Sequence, residues 1–446
     1  VSSTVEVSPR RRREIVDALR RGTVPQQGLD VMAVGLDKFT TAIDDELQTV
    51  RDGGSQFKAV RGEYGSGKTF FARWLTERAK QANFATAEVQ ISDTETPLHK
   101  LEKVYRRIIE SLATPGVSSG AFSDVVNGWF YVLEQDAAQG VIADRHTIQR
   151  RTNELLESRL AGVSKEAPAF AMALRAYRDM VARGRHADAD GLLAWLGGQP
   201  NVSAAVKRAA GVKSNLDHFG ALGFLQGLLT VLRDSDYSGL VLVLDEVETL
   251  QRMRSDVREK SLNALRQLMD EVDSGRFPGL YLLMTGTPAF YDGQQGVQRL
   301  APLAQRLQTD FSTDARFDNP RATQIRLSGF TQSTLVELGS RIRDIYAQGS
   351  QNSDRLHAVV DDAYVAALAA AVGGELGGKT GVAPRIFLKK LVSDVLDRVD
   401  QFPDFDPRRD YQLTVSSTEL TAQEIEARSR GDRRAATSVD DVALDL

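Results

Sequence analysis

Residues Gly62 to Thr69 read G-E-Y-G-S-G-K-T and satisfy the phosphate-loop pattern G-x-x-x-x-G-K-[ST] at every fixed position. Glycines at 62, 65 and 67 open backbone conformations closed to other residues. Successive N–H groups can then turn inward around a polyphosphate, with Glu63, Tyr64 and Ser66 completing the loop. Lys68 is spaced to reach the β- and γ-phosphates of ATP, and the Thr69 hydroxyl to hold Mg2+. The flanks agree. Phe57 to Arg61 is a short strand-like run, and Thr69 to Gln81 has helical spacing, so a helix N-terminus faces the phosphates. Strand, loop and helix in that order predict an α/β nucleotide-binding core.

The loop's partner lies far downstream. Gly239 to Glu246 is a continuous apolar run ending in two acids, the pattern of a central parallel strand whose carboxylates emerge at its C-terminal edge. Asp245 is placed to hold Mg2+ through water, and Glu246 to orient or deprotonate an attacking water. Glu248 is either a supporting partner or an exposed helix-start carboxylate. A further apolar strand, Leu280 to Met284, ends in Thr285. A hydroxyl at the tip of the strand beside the phosphate loop can sense the γ-phosphate or the lytic water, although β-propensity alone would also put threonine there.

Around these strands the spacing predicts helices over Pro9 to Arg21, Leu36 to about Val50, and Leu98 to Leu112, and a second strand over Ala85 to Ile91. Gly22 to Pro25 breaks the first helix. The stretch 114–236 reads as amphipathic helices without a convincing strand, a helical insertion in the core. Leu300 to Leu307 is a helix carrying Arg306, and Ala322 to Leu327 the last strand. Three helices, Thr331 to Tyr346, Asp361 to Ala371 and Pro384 to Val399, make a small helical lid; Gly381 to Arg385 opens the third, with Pro384 suited to a first turn. From about Phe402 the text is polar and charge-rich, ending in a sparse tail that reads as flexible. The expected organisation is therefore 1–113, N-terminal helices and the first part of the core; 114–236, the insertion; 237–329, the second part of the core; 330–400, the lid; and 401–446, the tail.

At 446 residues, with 42% hydrophobic and 26% charged residues, the composition is that of a globular protein. It has no cysteine, which removes disulfides and cysteine-ligated zinc. His99, His146, His186, His218 and His357 form no ligand-spaced pair, so nucleotide-bound Mg2+ is the one metal expected. No apolar run approaches the roughly 20 residues of a membrane span, and no apolar signal core is present, so a cytoplasmic protein without membrane contact is expected. A formal net charge of −4 argues against whole-surface attraction to nucleic acid. Between Arg145 and Lys213, however, basic residues outnumber acidic ones, including Arg150, Arg151, Arg175, Arg178, Arg183 and Arg185. That excess is a solvated helical face or a nucleic-acid contact. Arg10 to Arg13 is a second basic run, readable as a helix start or an arm.

The ordered set of phosphate loop, D-E strand, strand-end threonine, arginine-bearing helix and lid arginine resembles AAA+ ATPases near the initiator and origin-recognition branch. More specific phrases are Gly22-Thr23-Val24-Pro25, Ala33-Val34-Gly35-Leu36-Asp37, Pro97 to Tyr105 and Leu244-Asp245-Glu246-Val247-Glu248-Thr249-Leu250. With the loop itself, these resemble the BrxD-type ATP-binding proteins of BREX phage-defence systems, over about Arg12 to Val399. The resemblance implies a P-loop AAA+ core with a parallel sheet flanked by helices, a long helical insertion and a C-terminal helical lid. By the same pattern the segment before the phosphate loop covers adenine, Arg385 contacts the γ-phosphate in its own subunit, and Arg306 reaches the nucleotide of a neighbouring copy. It further implies a cytoplasmic ATPase that forms a homo-oligomer and works with other defence proteins such as a helicase. The insertion is longer than the initiator pattern, and the chain after the lid is too short and polar for a full winged-helix domain. DNA, if bound, is then expected at the insertion. The alternative is a nucleotide-gated scaffold or switch that hydrolyses little or no ATP. A motor helicase would need a second core, and a small-molecule kinase an acceptor pocket; neither can be read.

Overall fold

The computed structural model describes residues 6–139, 145–212, 214–375, 384–420 and 425. Gly381, Val382 and Ala383, expected to open the third lid helix, lie outside the described residues, as do 421–424 and 426–446 of the expected tail. Five strands, β1 (Gln56–Arg61), β2 (Ala85–Gln90), β3 (Leu240–Asp245), β4 (Leu280–Gly286) and β5 (Gln324–Arg326), form one parallel sheet in the order β2-β3-β4-β1-β5. β3 and β4 are buried along their whole length, which is why both read as unbroken apolar runs. Alternation still operates within them. Leu240, Leu242 and Leu244 face one core, and Val241 and Val243 the other.

Helix α1 (Pro9–Arg20) precedes α2 (Asp37–Arg51) and α3 (Lys68–Gln81), the last two packing on the Val241 and Val243 face. The opposite face meets α4 (Leu101–Ser111) and the run α5 (Phe122–Ala138), α6 (Arg145–Arg159), α7 (Ala161–Glu166), α8 (Pro168–Ala182), α9 (His186–Leu196), α10 (Ala204–Ala209) and α11 (His218–Asp234). This insertion shares its core with the sheet. Phe224 of α11 stacks edge-on with Phe170, Trp195 and Tyr105 at ring separations of 5.1, 5.4 and 5.7 Å, in the same apolar cluster as Leu240 and Leu242. Its excess of arginine is largely neutralised locally: Arg150, Arg175, Arg178, Arg183 and Arg185 each pair with a carboxylate. After β3 comes α12 (Ser255–Asp273), a 19-residue helix that was not expected, although Leu262, Leu265 and Met269 mark its buried stripe.

Beyond α13 (Pro288–Asp292) and α14 (Ala301–Leu307), the C-terminal helices are α15 (Gln332–Ala347), α16 (Ser353–Val359), α17 (Asp362–Glu375) and α18 (Pro384–Lys389). α18 continues through a π-turn over Lys390–Leu396 into α19 (Asp397–Gln401), and α20 (Pro407–Asp410) comes last. The short α16 was not expected either. Ile15 and Leu19 of α1 share a buried cluster with Leu335, Phe387 and Leu391, so the first helix packs with the last ones. Residues 402–420, the start of the expected polar C-terminal tail, pack in part against these helices. Val415 and Leu420 are buried in that same cluster, and the Tyr411 hydroxyl donates to Asp394 Oδ2 at 3.1 Å. Two of its charges reach outside the segment, Glu419 to Lys389 and Lys390 and Arg408 to Asp361, while Arg409 pairs with Asp410 within it. Among the described residues no single helix is long and apolar enough to cross a membrane.

Candidate functional site

A cavity of about 450 Å3 opens at the C-terminal edge of the sheet, between the loop after β1 and the C-terminal helices. The loop leaves β1 with Gly62 N–H donating to Gly286 O at 3.1 Å. A Cβ at position 62 would stand 2.2 Å from Ser66 Oγ and 3.2 Å from Ser66 Cβ, so a larger residue there would push the Ser66 side chain aside. Gly67, at φ 91°, turns the chain into α3 and points the helix N-terminus at the cavity. Ser66 Oγ is buried without a hydrogen-bond partner on the cavity wall, as an acceptor-rich ligand would require. Lys68 Nζ donates to Gly62 O at 2.8 Å and to Glu63 O at 3.3 Å, above the Tyr64 ring. Burial pushes the Lys68 ammonium pKa down, and the negative charges of Glu248, Asp245, Glu63 and Glu246 oppose that shift.

Asp245 sits at the end of β3 and gathers the site around itself. Its Oδ2 accepts from the Thr69 hydroxyl at 3.2 Å; its Oδ1 accepts from the Thr285 hydroxyl and, at 3.1 Å, from Glu246 N–H. Thr285 is fully buried and does not line the cavity; it braces Asp245. Thr69 and Asp245 make a hydroxyl–carboxylate pair, and no cluster of three or more metal-ligating side chains occurs among the described residues. That donor set fits a Mg2+ whose remaining ligands are phosphate oxygens and water.

Glu246 adopts left-handed backbone angles, φ 58° and ψ 41°, a conformation costly outside glycine and concentrated at functional sites. The turn carries its exposed side chain off the end of β3, where Gln90 Nε2 donates to Glu246 Oε2 at 2.9 Å. Gln90 escapes sequence reading because its relevance depends on β2 pairing with β3 in the register that sets Gln90 against Asp245. Glu248 is no exposed helix-start residue. It is 7% exposed, lines the cavity, and stands 3.9 Å from Lys68 Nζ; burial pushes its carboxyl pKa up.

The far end of the cavity is apolar, with Val24 and Pro25 from the turn after α1, Val34 and Leu36 before α2, and Leu338 and Leu388 from the C-terminal helices. α3 holds this end as well as the loop: Arg73 Nη1 donates to Val24 O at 2.7 Å, and Glu77 accepts from Gly28 and Leu29 N–H, both at 2.7 Å. Arg385 lines the cavity, its Nη2 donating to Glu419 O at 2.6 Å. Arg306 does not line it. It lies on α14, about one-third exposed, paired with Asp270 at 2.6 Å and Asp273 at 2.5 Å on α12. The structure thus brings together the loop, Asp245, Glu246 and Arg385 with Thr285 behind them, and leaves Arg306 outside.

The family model of the BREX system ATP-binding protein BrxC/D matches residues 7–415. The chain belongs to that family. The match begins just before α1 and ends at Val415, so it covers every residue that lines the cavity. No curated protein matches the chain.

Proposed function

We propose that this protein is an AAA+ ATPase of the initiator and origin-recognition-like type, hydrolysing ATP in the cavity at the sheet edge. The observation that carries the proposal is the Asp245 junction: one carboxylate ties the phosphate-loop hydroxyl of Thr69 to the strand end from which Glu246 projects. The strand order supports it, since β4 stands between the loop strand β1 and the acid strand β3. Loop N–H groups, the α3 N-terminus and Lys68 bind the phosphates. Thr69 and Asp245 would hold Mg2+, which when bound neutralises charge on the phosphate oxygens. Glu246 takes the proton of the attacking water as its oxygen bonds to the γ-phosphorus. The bond to the β–γ bridging oxygen breaks, and its electron pair leaves with ADP. Gln90 sets the Glu246 carboxylate until that step, and the apolar end takes the base.

Assembly completes the site: Arg306 of one copy exchanges its aspartate partners for the γ-phosphate held by the next. The cycle remodels or assembles a protein–DNA complex in the cytoplasm during phage defence. The partners implied are other defence proteins, such as a helicase, and DNA reached through the insertion, whose arginines would have to exchange carboxylates for phosphates. A second reading, a nucleotide-gated switch with little turnover, is favoured by the pairing of Arg306 within its own chain. Steady-state phosphate release with and without DNA separates the two. ATP binding itself is tested with a fluorescent ATP analogue: Lys68→Ala should reduce affinity severely while the fold survives, and unchanged affinity would overturn the assignment of the loop.

A further inference from the structure

The segment 411–420 ends against the same helix that carries Arg385. Glu419 is fixed there by its side chain, with Lys390 Nζ donating to Oε1 at 3.1 Å and Oε2 at 3.0 Å, Lys389 Nζ to Oε1 at 3.2 Å, and Ser416 N–H to Oε2 at 3.3 Å. Lys389 and Lys390 are sequence neighbours that ordinary helical spacing would spread by about 100°. The π-turn beginning at Lys390 widens the helix where both ammonium groups meet one carboxylate. Lys390 is only 5% exposed, and Val415 and Leu420 are buried on either side of Glu419, so the backbone between them is held at both ends.

The division of labour within Glu419 is informative. Its carboxylate goes to the two lysines, and its backbone carbonyl goes to Arg385 Nη2 at 2.6 Å. A guanidinium offers five N–H donors in a rigid fork. A carbonyl fixes the orientation of that fork without neutralising its charge, which a carboxylate in the same place would do. Arg385 is at once a wall residue of the cavity and the residue this anchored carbonyl grips.

We propose that Glu419 is a positioning residue for Arg385: its anchored carbonyl aims the guanidinium at the γ-phosphate position, so that the C-terminal segment sets the preference of the cavity for ATP over ADP. The inference rests on the assignment of Arg385 as a γ-phosphate contact, and the two can fail separately.

The test uses the full chain and measures equilibrium affinity for a slowly hydrolysed ATP analogue and for ADP in Arg385→Ala, Glu419→Ala, Glu419→Gln and the Arg385→Ala/Glu419→Ala double variant. Arg385→Ala should weaken the ATP analogue about tenfold or more, the range for one charge-assisted hydrogen bond, and ADP by less than about twofold. Glu419→Ala should weaken the analogue by about threefold to fivefold with ADP unchanged, and the double variant should be no worse than Arg385→Ala, because Glu419 acts through the arginine. Glu419→Gln keeps the side-chain volume and one acceptor for the lysines; it carries the same test if the alanine variant folds poorly, with a smaller loss in the same direction. A Glu419→Ala effect that is equal for ATP and ADP, additive with Arg385→Ala, or absent while Arg385→Ala remains selective overturns the positioning role alone. Loss of selectivity for ATP in none of the variants overturns the phosphate contact of Arg385, and the positioning role with it.

Discussion

At the phosphate end of the cavity the polar side chains come from the edge of one parallel sheet and the turns that leave it, whereas the apolar end is assembled from the first forty residues and from helices some three hundred residues later. The first is rigid by construction. Asp245 is braced by Thr69, Thr285 and its neighbour's N–H, on strands buried from end to end. The second depends on α1 and the C-terminal helices staying packed together through Ile15, Leu19, Phe387 and Leu391. On the proposed function, chemistry that tolerates little displacement falls at the first end, and binding that can vary with conformation at the second. α3 joins them, carrying Lys68 and Thr69 at its start and, one and two turns further on, Arg73 and Glu77, which grip the turn after α1.

Variants at the two ends should therefore separate turnover from affinity. The largest effect is expected outside both. Arg306→Ala should bind ATP normally and hydrolyse it about a thousandfold more slowly, as for arginine fingers supplied in trans. Mixing it with Lys68→Ala should restore part of the activity, since one protein offers an intact loop and the other an intact arginine. No rescue, with turnover independent of protein concentration, would confine the active site to a single chain. At the phosphate end, Thr285→Val keeps shape and removes the hydroxyl that Asp245 accepts from, so turnover should fall about tenfold with ATP affinity changed less than about threefold. At the apolar end, Val34→Ser replaces two methyl groups with a hydroxyl and should weaken ATP and ADP alike by about fivefold, leaving the maximal rate unchanged. A rate effect at Val34 as large as that at Thr285 would dissolve the contrast.

The two ends also differ in how much of them could be read from the chain. The phosphate loop is eight consecutive residues, and Asp245 with Glu246 closes a six-residue apolar run, so local pattern suffices for both. Gln90 and the bracing role of Thr285 required strand register, which no single segment encodes. The grip of Arg73 and Glu77 on the turn after α1, and the union of α1 with the last helices, are contacts between distant segments and leave no periodicity to detect. Composition is silent at 402–420, because a segment that satisfies Glu419 against Lys389 and Lys390 has the same amino-acid content as one that satisfies it with water. α12 is different: its apolar spacing, Leu262, Leu265 and Met269, is present in the sequence and sufficient to predict it.

Glu246 is proposed to take the proton from water while the rest of the site binds nucleotide. That role is tested most directly by measuring phosphate release and ATP affinity together in Glu246→Gln. The substitution keeps the shape and leaves an acceptor for Gln90, but removes the base, so affinity should stay within about twofold and turnover should fall about a hundredfold or more. Hydrolysis at the wild-type rate in a variant that binds ATP normally would contradict the account.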